Sequence, residues 1–265
     1  MITISIDPII FSIGHFMIRW YSLIVTGAII VGVWITWREA KRKGLAEKYV
    51  GDAVLWVIGG GLIGARLFHV IDHWPDKFAP NPVRALYIWE GGLAIWGAVI
   101  GGGIALALFA RRDRLPFGQL VDTAAPGLVL GQALGRFACI ITGDALGQAT
   151  TGPFGFAYTS PNALVPQLGV YYTPTPVYEI ILNLNIFVLV WRLRQRNLPD
   201  SALFLIYLVL YSAGRFIITF WSSYQIIAFG LNQAQLISLA GLIIGLPLLA
   251  IVLRRKRRTP AIVQH

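Results

Sequence analysis

Four arginines stand within or at the ends of otherwise apolar stretches of this 265-residue chain: Arg19, Arg66, Arg136 and Arg215. A guanidinium is permanently charged, and holding one at mid-bilayer costs about 3 kcal/mol on insertion scales. Four without compensation would cost on the order of 10 kcal/mol, comparable to the whole stability of a small protein. Anionic company is scarce. The same stretches and their ends offer Asp122, Asp144 and Glu179, with Glu90 ahead of one of them. Two chemistries fit. The arginines can be neutralised in structural ion pairs, with Arg19 also free to snorkel to the interface. Alternatively, they can hold an anionic ligand between helices. The planar guanidinium fork gives a phosphate two parallel charge-assisted hydrogen bonds, and a phosphate that reaches arginines inside a bilayer belongs to a phospholipid. The residue types alone leave both open.

The elements that must position these side chains are membrane spans. Hydrophobic residues make up 56% of the chain and charged residues 13%, about half the charged share of an ordinary soluble domain. The apolar content excludes disorder, and a single cysteine, Cys139, excludes a disulfide framework. Apolar stretches of spanning length recur seven times, at about Met17–Trp37, Ala53–Ile71, Gly92–Ala110, Leu120–Thr142, Pro176–Trp191, Leu203–Trp221 and Gln235–Leu253. The fold class expected is an all-α polytopic membrane protein, a single domain over 1–265. The first residues, MITISIDPIIFSIGHF, lack a basic region and a cleavage site. They read as an amphipathic segment at the membrane interface.

Orientation follows from the cations. Loops 38–50, 111–118 and 192–200 and the tail carry Arg38, Lys41, Arg42, Lys43, Lys48, Arg111, Arg112, Arg114, Arg192, Arg194, Arg196 and the run 254–258, whereas the opposite loops carry only Lys77 and Arg84. The positive-inside rule makes the rich side cytoplasmic, with the N-terminus outside and the C-terminus inside. The net charge of +10 is thereby topological and needs no nucleic acid; RRKRR at 254–258 reads as an anchor on anionic headgroups. Two loops on the opposite side are long, about 72–91 and 143–175. The second is rich in Gly, Pro and Thr without Lys or Arg, and is expected to fold as turns or short strands into a small external cap. Glycines four apart (Gly60 and Gly64, Gly97 and Gly101, Gly127, Gly131 and Gly135) suit close helix contacts, Gly135 standing apart because Arg136 follows it.

Several segments, taken in order, resemble one family. Gly135-Arg136-Phe137-Ala138-Cys139-Ile140-Ile141-Thr142-Gly143-Asp144-Ala145-Leu146-Gly147 resembles the signature of prolipoprotein diacylglyceryl transferases, roughly G-R-x-G-N-F-x-N-G-E-x-x-G. Arg19-Trp20-Tyr21 is similar to the family's H/R-W-Y, Gly64-Ala65-Arg66 to G-G/A-R, and Trp89-Glu90-Gly91-Gly92-Leu93 to W-D/E-G-G-L/M. Thr175-Pro176-Val177-Tyr178-Glu179 is similar to P-S/T-Q-L-Y-E, and Tyr211-Ser212-Ala213-Gly214-Arg215-Phe216 to Y-G-x-x-R-F/I.

The resemblance implies a bacterial cytoplasmic-membrane enzyme whose partners are phosphatidylglycerol, membrane lipids and the lipobox signal peptides of prolipoproteins, with no cofactor. It would move a diacylglyceryl group onto the lipobox cysteine thiol and release glycerol 1-phosphate. Arg136 would bind the lipid phosphate and Arg215 would clamp it from the other side and stabilise the leaving group. Tyr21, Tyr211, Asp144 and Arg66 complete the expected lipid-binding set, although both tyrosines are also ordinary interface aromatics and Arg66 also suits an ion pair. Asp144, one methylene shorter than the signature's glutamate, would orient Arg136 or receive a proton. Cys139 and Thr142 replace asparagines of the signature, and Trp96 stands where many members carry a histidine. No histidine base is assigned. A substrate thiol, ordinarily with a pKa near 8.5, could ionise beside two arginines. Cys139 reads as buried apolar filling. The histidines, Cys139 and the carboxylates show no metal-ligand spacing. The competing functions are a transporter or binder of anionic metabolites or lipids, for which internal symmetry is lacking, and a relative that has lost catalysis.

Overall fold

The computed structural model describes residues 1–13, 16–87 and 91–254. His15, Trp89, Glu90, the basic run 255–258 and His265 lie outside the described residues. Among the described residues, seven helices are long and apolar enough to cross a membrane: α1 Trp20–Arg42, α2 Glu47–Asp72, α3 Ile95–Arg112, α4 Phe117–Thr142, α5 Thr175–Leu193, α6 Ala202–Ile218 and α7 Gln233–Arg254. The protein is thus a multi-pass membrane protein. Each expected span has a helix; α1, α2, α4, α5 and α7 are longer than the apolar stretches, and α3 and α6 slightly shorter. Lys41 and Arg42 close α1, and Arg111 and Arg112 close α3, where a positive charge meets the negative pole of the helix. Gly44 and Gly143 follow α1 and α4 at φ +72° and +76°, the left-handed backbone that stops a helix.

The start of the chain, read from the sequence as an amphipathic segment, is extended: β1 (Ile2–Ile4), β2 (Ile9–Ile13) and β3 (Phe16–Arg19). β2 and β3 form an antiparallel hairpin, so α1 begins only at Trp20 and Arg19 sits exposed on a strand. β1 pairs in parallel with β4 (Phe156–Tyr158), Ile2 opposite Phe156 and Ile4 opposite Tyr158. Asp7 accepts from the Ile9 amide at 2.8 Å and from Asn162 at 2.9 Å, and these donors hold its carboxyl below its ordinary pKa. The segment 143–175 does contain turns and a short strand. Its ends are zipped by Gly147 N to Thr173 O and Thr173 N to Gln148 O, and Leu146, Tyr158 and Tyr172 make its small core, with Ile4 of β1 packed against it.

Two compact units divide the chain: Met1–Thr36 together with the part from Val121 onward, and Trp37–Leu120. In the first, α4, α5 and α6 meet over Ala125, Val129, Ile186, Val190, Leu203 and Tyr207. Asp122 of α4 accepts the Phe204 amide at 2.7 Å and so satisfies one of the free N–H groups at the start of α6. A final hairpin, β5 (Ile226–Ala228) and β6 (Leu231–Asn232), leads into α7.

In the second unit α2 and α3 touch backbone to backbone. A Cβ on Gly97 would collide with the Gly64 carbonyl and Phe68, and one on Gly60 or Gly64 with the Gly101 main chain. The glycine spacing therefore marks a real contact here, whereas nothing lies within 4 Å of a Cβ built on Gly135. Lipid offers apolar helices no hydrophobic drive to associate, so such close backbone approach carries the packing. Replacing Gly97 by Val is expected to destabilise the protein by about 1–3 kcal/mol. Gly103→Ala, at a position with open space around it, serves as the control. Thermal unfolding in detergent checks both, and equal midpoints would refute the contact.

Candidate functional site

Three helices of the first unit bring their chemistry to one end. Arg136 lies in the penultimate turn of α4, Glu179 in the second turn of α5 and Arg215 in the last turn of α6. Because successive spans alternate in direction, the end of α4, the start of α5 and the end of α6 fall on the same side. Glu179 is buried, its side chain 2% exposed, and its carboxylate receives both arginines. Arg136 Nε lies 2.6 Å from Oε2, and Arg215 Nη1 pairs with Oε1. The sequence offered Asp144 or Glu179 as partner, and the structure gives both guanidinium groups to Glu179. A buried carboxylate between two guanidiniums is tenable only because each charge is paired, and the trio keeps one net positive charge.

Around this trio stand polar groups from four elements. Tyr211, one turn before Arg215, is a hydrogen-bond partner of Arg136. Tyr224, after α6, accepts from Arg215 Nη2 at 3.2 Å, with the guanidinium 5.7 Å from its ring. Arg136 Nη1 lies 3.7 Å from Cys139 Sγ. Tyr21, in the first turn of α1 and 43% exposed, has Cys139, Asp144 and Arg136 as its charged or titratable neighbours. Asp144 is half-buried and bonded to the Thr142 hydroxyl. Tyr158 donates to the Ile140 carbonyl at 2.6 Å, and burial pushes its hydroxyl above the ordinary tyrosine pKa, keeping it a donor. The Leu164 amide reaches the Thr142 carbonyl at 2.8 Å. The end of α4, which carries the densest chemistry, is thus fastened by the 143–175 segment.

Five of the six expected site residues (Arg136, Arg215, Tyr21, Asp144 and Tyr211) therefore share one neighbourhood. Arg66 is built into a different arrangement. It is 8% exposed, and its guanidinium donates to the carbonyls of Ala85 at 2.9 Å, Gly91 at 2.6 Å, Gly92 at 3.2 Å and Arg84 at 2.7 Å. The Phe78 ring sits 5.5 Å away. His69 and His73 on α2 pack ring on ring with centroids 4.3 Å apart. Glu179 was visible in the sequence as one of few intramembrane acids, but nothing there showed it to be shared. Tyr224 gave no sequence signal, because it lies in a polar stretch outside any recognised motif.

The sequence matches the family model of prolipoprotein diacylglyceryl transferase over residues 8–251. The chain belongs to the prolipoprotein diacylglyceryl transferase family. Curated relatives named phosphatidylglycerol–prolipoprotein diacylglyceryl transferase agree over nearly full length. That of Trichormus variabilis is 36% identical over 98% of this chain and 94% of its own. That of a Dehalococcoides mccartyi strain is 35% identical over 99% of this chain and 100% of its own. That of Halalkalibacterium halodurans is 37% identical over 92% and 85%.

As a member of this family, the chain combines two permanent cations with a single shared carboxylate in a buried, membrane-level site. Such donors are fixed before any ligand arrives, so stabilising added negative charge needs little reorganisation. Each guanidinium has five N–H groups, and Glu179, Tyr211, Tyr224 and Cys139 leave several for an incoming phosphate.

Proposed function

We propose that this chain transfers the diacylglyceryl group of phosphatidylglycerol to the lipobox cysteine of prolipoprotein signal peptides, at the outer face of the bacterial cytoplasmic membrane. In this reading 1–265 works as one transferase domain, with the N-terminus outside, the C-terminus inside and the 143–175 segment as external cap. The observation that carries it is the meeting of Arg136 and Arg215 on one buried carboxylate. A phosphodiester bears one negative charge and the trio one net positive charge, so the lipid headgroup is matched.

The chemistry follows. The thiolate sulfur attacks the glyceryl carbon next to the phosphate ester, and the carbon–oxygen bond breaks. The departing glycerol 1-phosphate gains one negative charge on its oxygens. Donors stronger to the phosphate monoester than to the diester lower the barrier rather than tighten lipid binding alone. Arg136 holds the lipid phosphate and Arg215 stabilises the departing one, with Tyr21 and Tyr211 orienting the headgroup. The test is transfer of label from phosphatidylglycerol, marked in its diacylglyceryl part, to a lipobox peptide by the purified chain. Thioether-linked product is expected. Lipid binding, or uptake of anionic solutes into vesicles, with no labelled peptide would overturn the reading.

A further inference from the structure

The transfer just proposed needs a group to take the thiol proton, and the geometry points to Asp144. We propose that Asp144 is the catalytic base for the incoming thiol, an assignment that rests on the transfer reading above.

Asp144 stands between two residues in left-handed backbone, Gly143 at φ +76° and Ala145 at φ +58°. For alanine that conformation is unfavourable, and a strained residue persists where its surroundings over-determine it. Here the Ala145 carbonyl accepts from Thr175 Oγ1 at 2.5 Å. The turn folds the Asp144 carboxylate back over the end of α4, onto Thr142.

The Thr142 hydroxyl has a single proton and two acceptors in reach: the Ala138 carbonyl at 2.9 Å and Asp144 Oδ1. With Asp144 ionised, only one of the two can be served. Once Asp144 holds a proton, both bonds form at once, Asp144 donating to Thr142 Oγ and Thr142 donating to Ala138 O. The network therefore has a place for one additional proton. Glu179 cannot play this part, because it is 2% exposed and held by two guanidiniums. Asp144, by contrast, is only half-buried. The titratable groups facing it are Tyr21 of α1, Cys139 of α4 and Tyr158 of β4, and Arg136 stands beside Tyr21 and Cys139.

In the step, the S–H bond breaks with its proton going to Asp144. The sulfur lone pair forms the S–C bond. The C–O bond breaks, and its electron pair leaves on the phosphate oxygen of glycerol 1-phosphate. That dianion then takes the proton from Asp144 and carries it out.

A selenocysteine peptide separates proton removal from positioning, since a selenol is already ionised at neutral pH. The purified full chain is assayed with labelled phosphatidylglycerol and two lipobox peptides that differ only in cysteine or selenocysteine. Asp144→Asn should lower kcat/KM with the cysteine peptide by roughly 10²–10⁴-fold, and by at least about ten-fold less with the selenocysteine peptide. With cysteine, the variant's rate should climb with hydroxide rather than level off. An equal loss with both peptides, or no loss, overturns the assignment. Should Asp144→Asn fail to fold, Thr142→Val carries the test: a loss confined to the cysteine peptide supports it, and none or an equal loss overturns it. A wild-type chain inert toward both peptides overturns the transfer reading itself.

Discussion

Arg215→Ala is expected to abolish measurable transfer while leaving a folded protein. Removing one preorganised donor from an oxyanion site costs about 10²–10³ in kcat, and Arg215 is both a donor and half of the positive charge that offsets the leaving phosphate. The alanine variant also leaves Tyr224 without its guanidinium partner. Lysine substitution separates charge from shape. Arg215→Lys keeps the cation but loses the fork, so kcat should fall by an intermediate factor. Arg136→Lys should act mainly on KM, because this arginine is assigned to holding the lipid in ground and transition states alike. Steady-state kinetics with labelled phosphatidylglycerol in mixed micelles decide the matter. Arg215→Ala activity within about three-fold of wild type would be too small for a preorganised charge clamp and would remove this arginine from the chemistry.

Glu179→Gln should be as damaging by another route. It takes away the carboxylate that two guanidiniums share and leaves two like charges facing each other in a buried setting. Breaking a buried ion pair from one side costs about 3–5 kcal/mol, which corresponds to a drop of roughly 10 °C in the unfolding midpoint for a chain of this size. Transfer should fall with it, because the arginines lose the anchor that sets their separation. The double variant Glu179→Gln with Arg136→Gln tests the electrostatic origin. It removes the surplus cation, so much of the lost stability should return while activity stays absent, a non-additivity that a double-mutant cycle reads directly. Additive destabilisation would mean that Glu179 acts through packing alone.

The spans were legible because hydrocarbon demands long uninterrupted apolar helices, and the cations fell on alternate loops. Arg136 and Arg215 were legible for the complementary reason: a charge that hydrocarbon rejects must have a purpose. Their common partner was not, since pairing between helices depends on rotation about each axis, which neither hydropathy nor motif order specifies. The strands of the first residues were hidden as well. IIFSI and FMIR alternate too little to announce strands and find their partners only in each other, while Ile2–Ile4 pairs with Phe156–Tyr158, more than a hundred residues away. Arg66 shows the limit most plainly. Its charge suggested an anion, yet its donors go to four neutral carbonyls, whose summed dipoles the sequence cannot display.

That cage of carbonyls has an evolutionary corollary. Every amino acid presents the same main-chain oxygen, so the hydrogen bonds from α2 to residues 84, 85, 91 and 92 read no side chain at those positions. The connection can drift in sequence, lose its polarity or acquire new contacts for another substrate and stay moored, provided one arginine and the paired glycines that let the chain curl around it are kept.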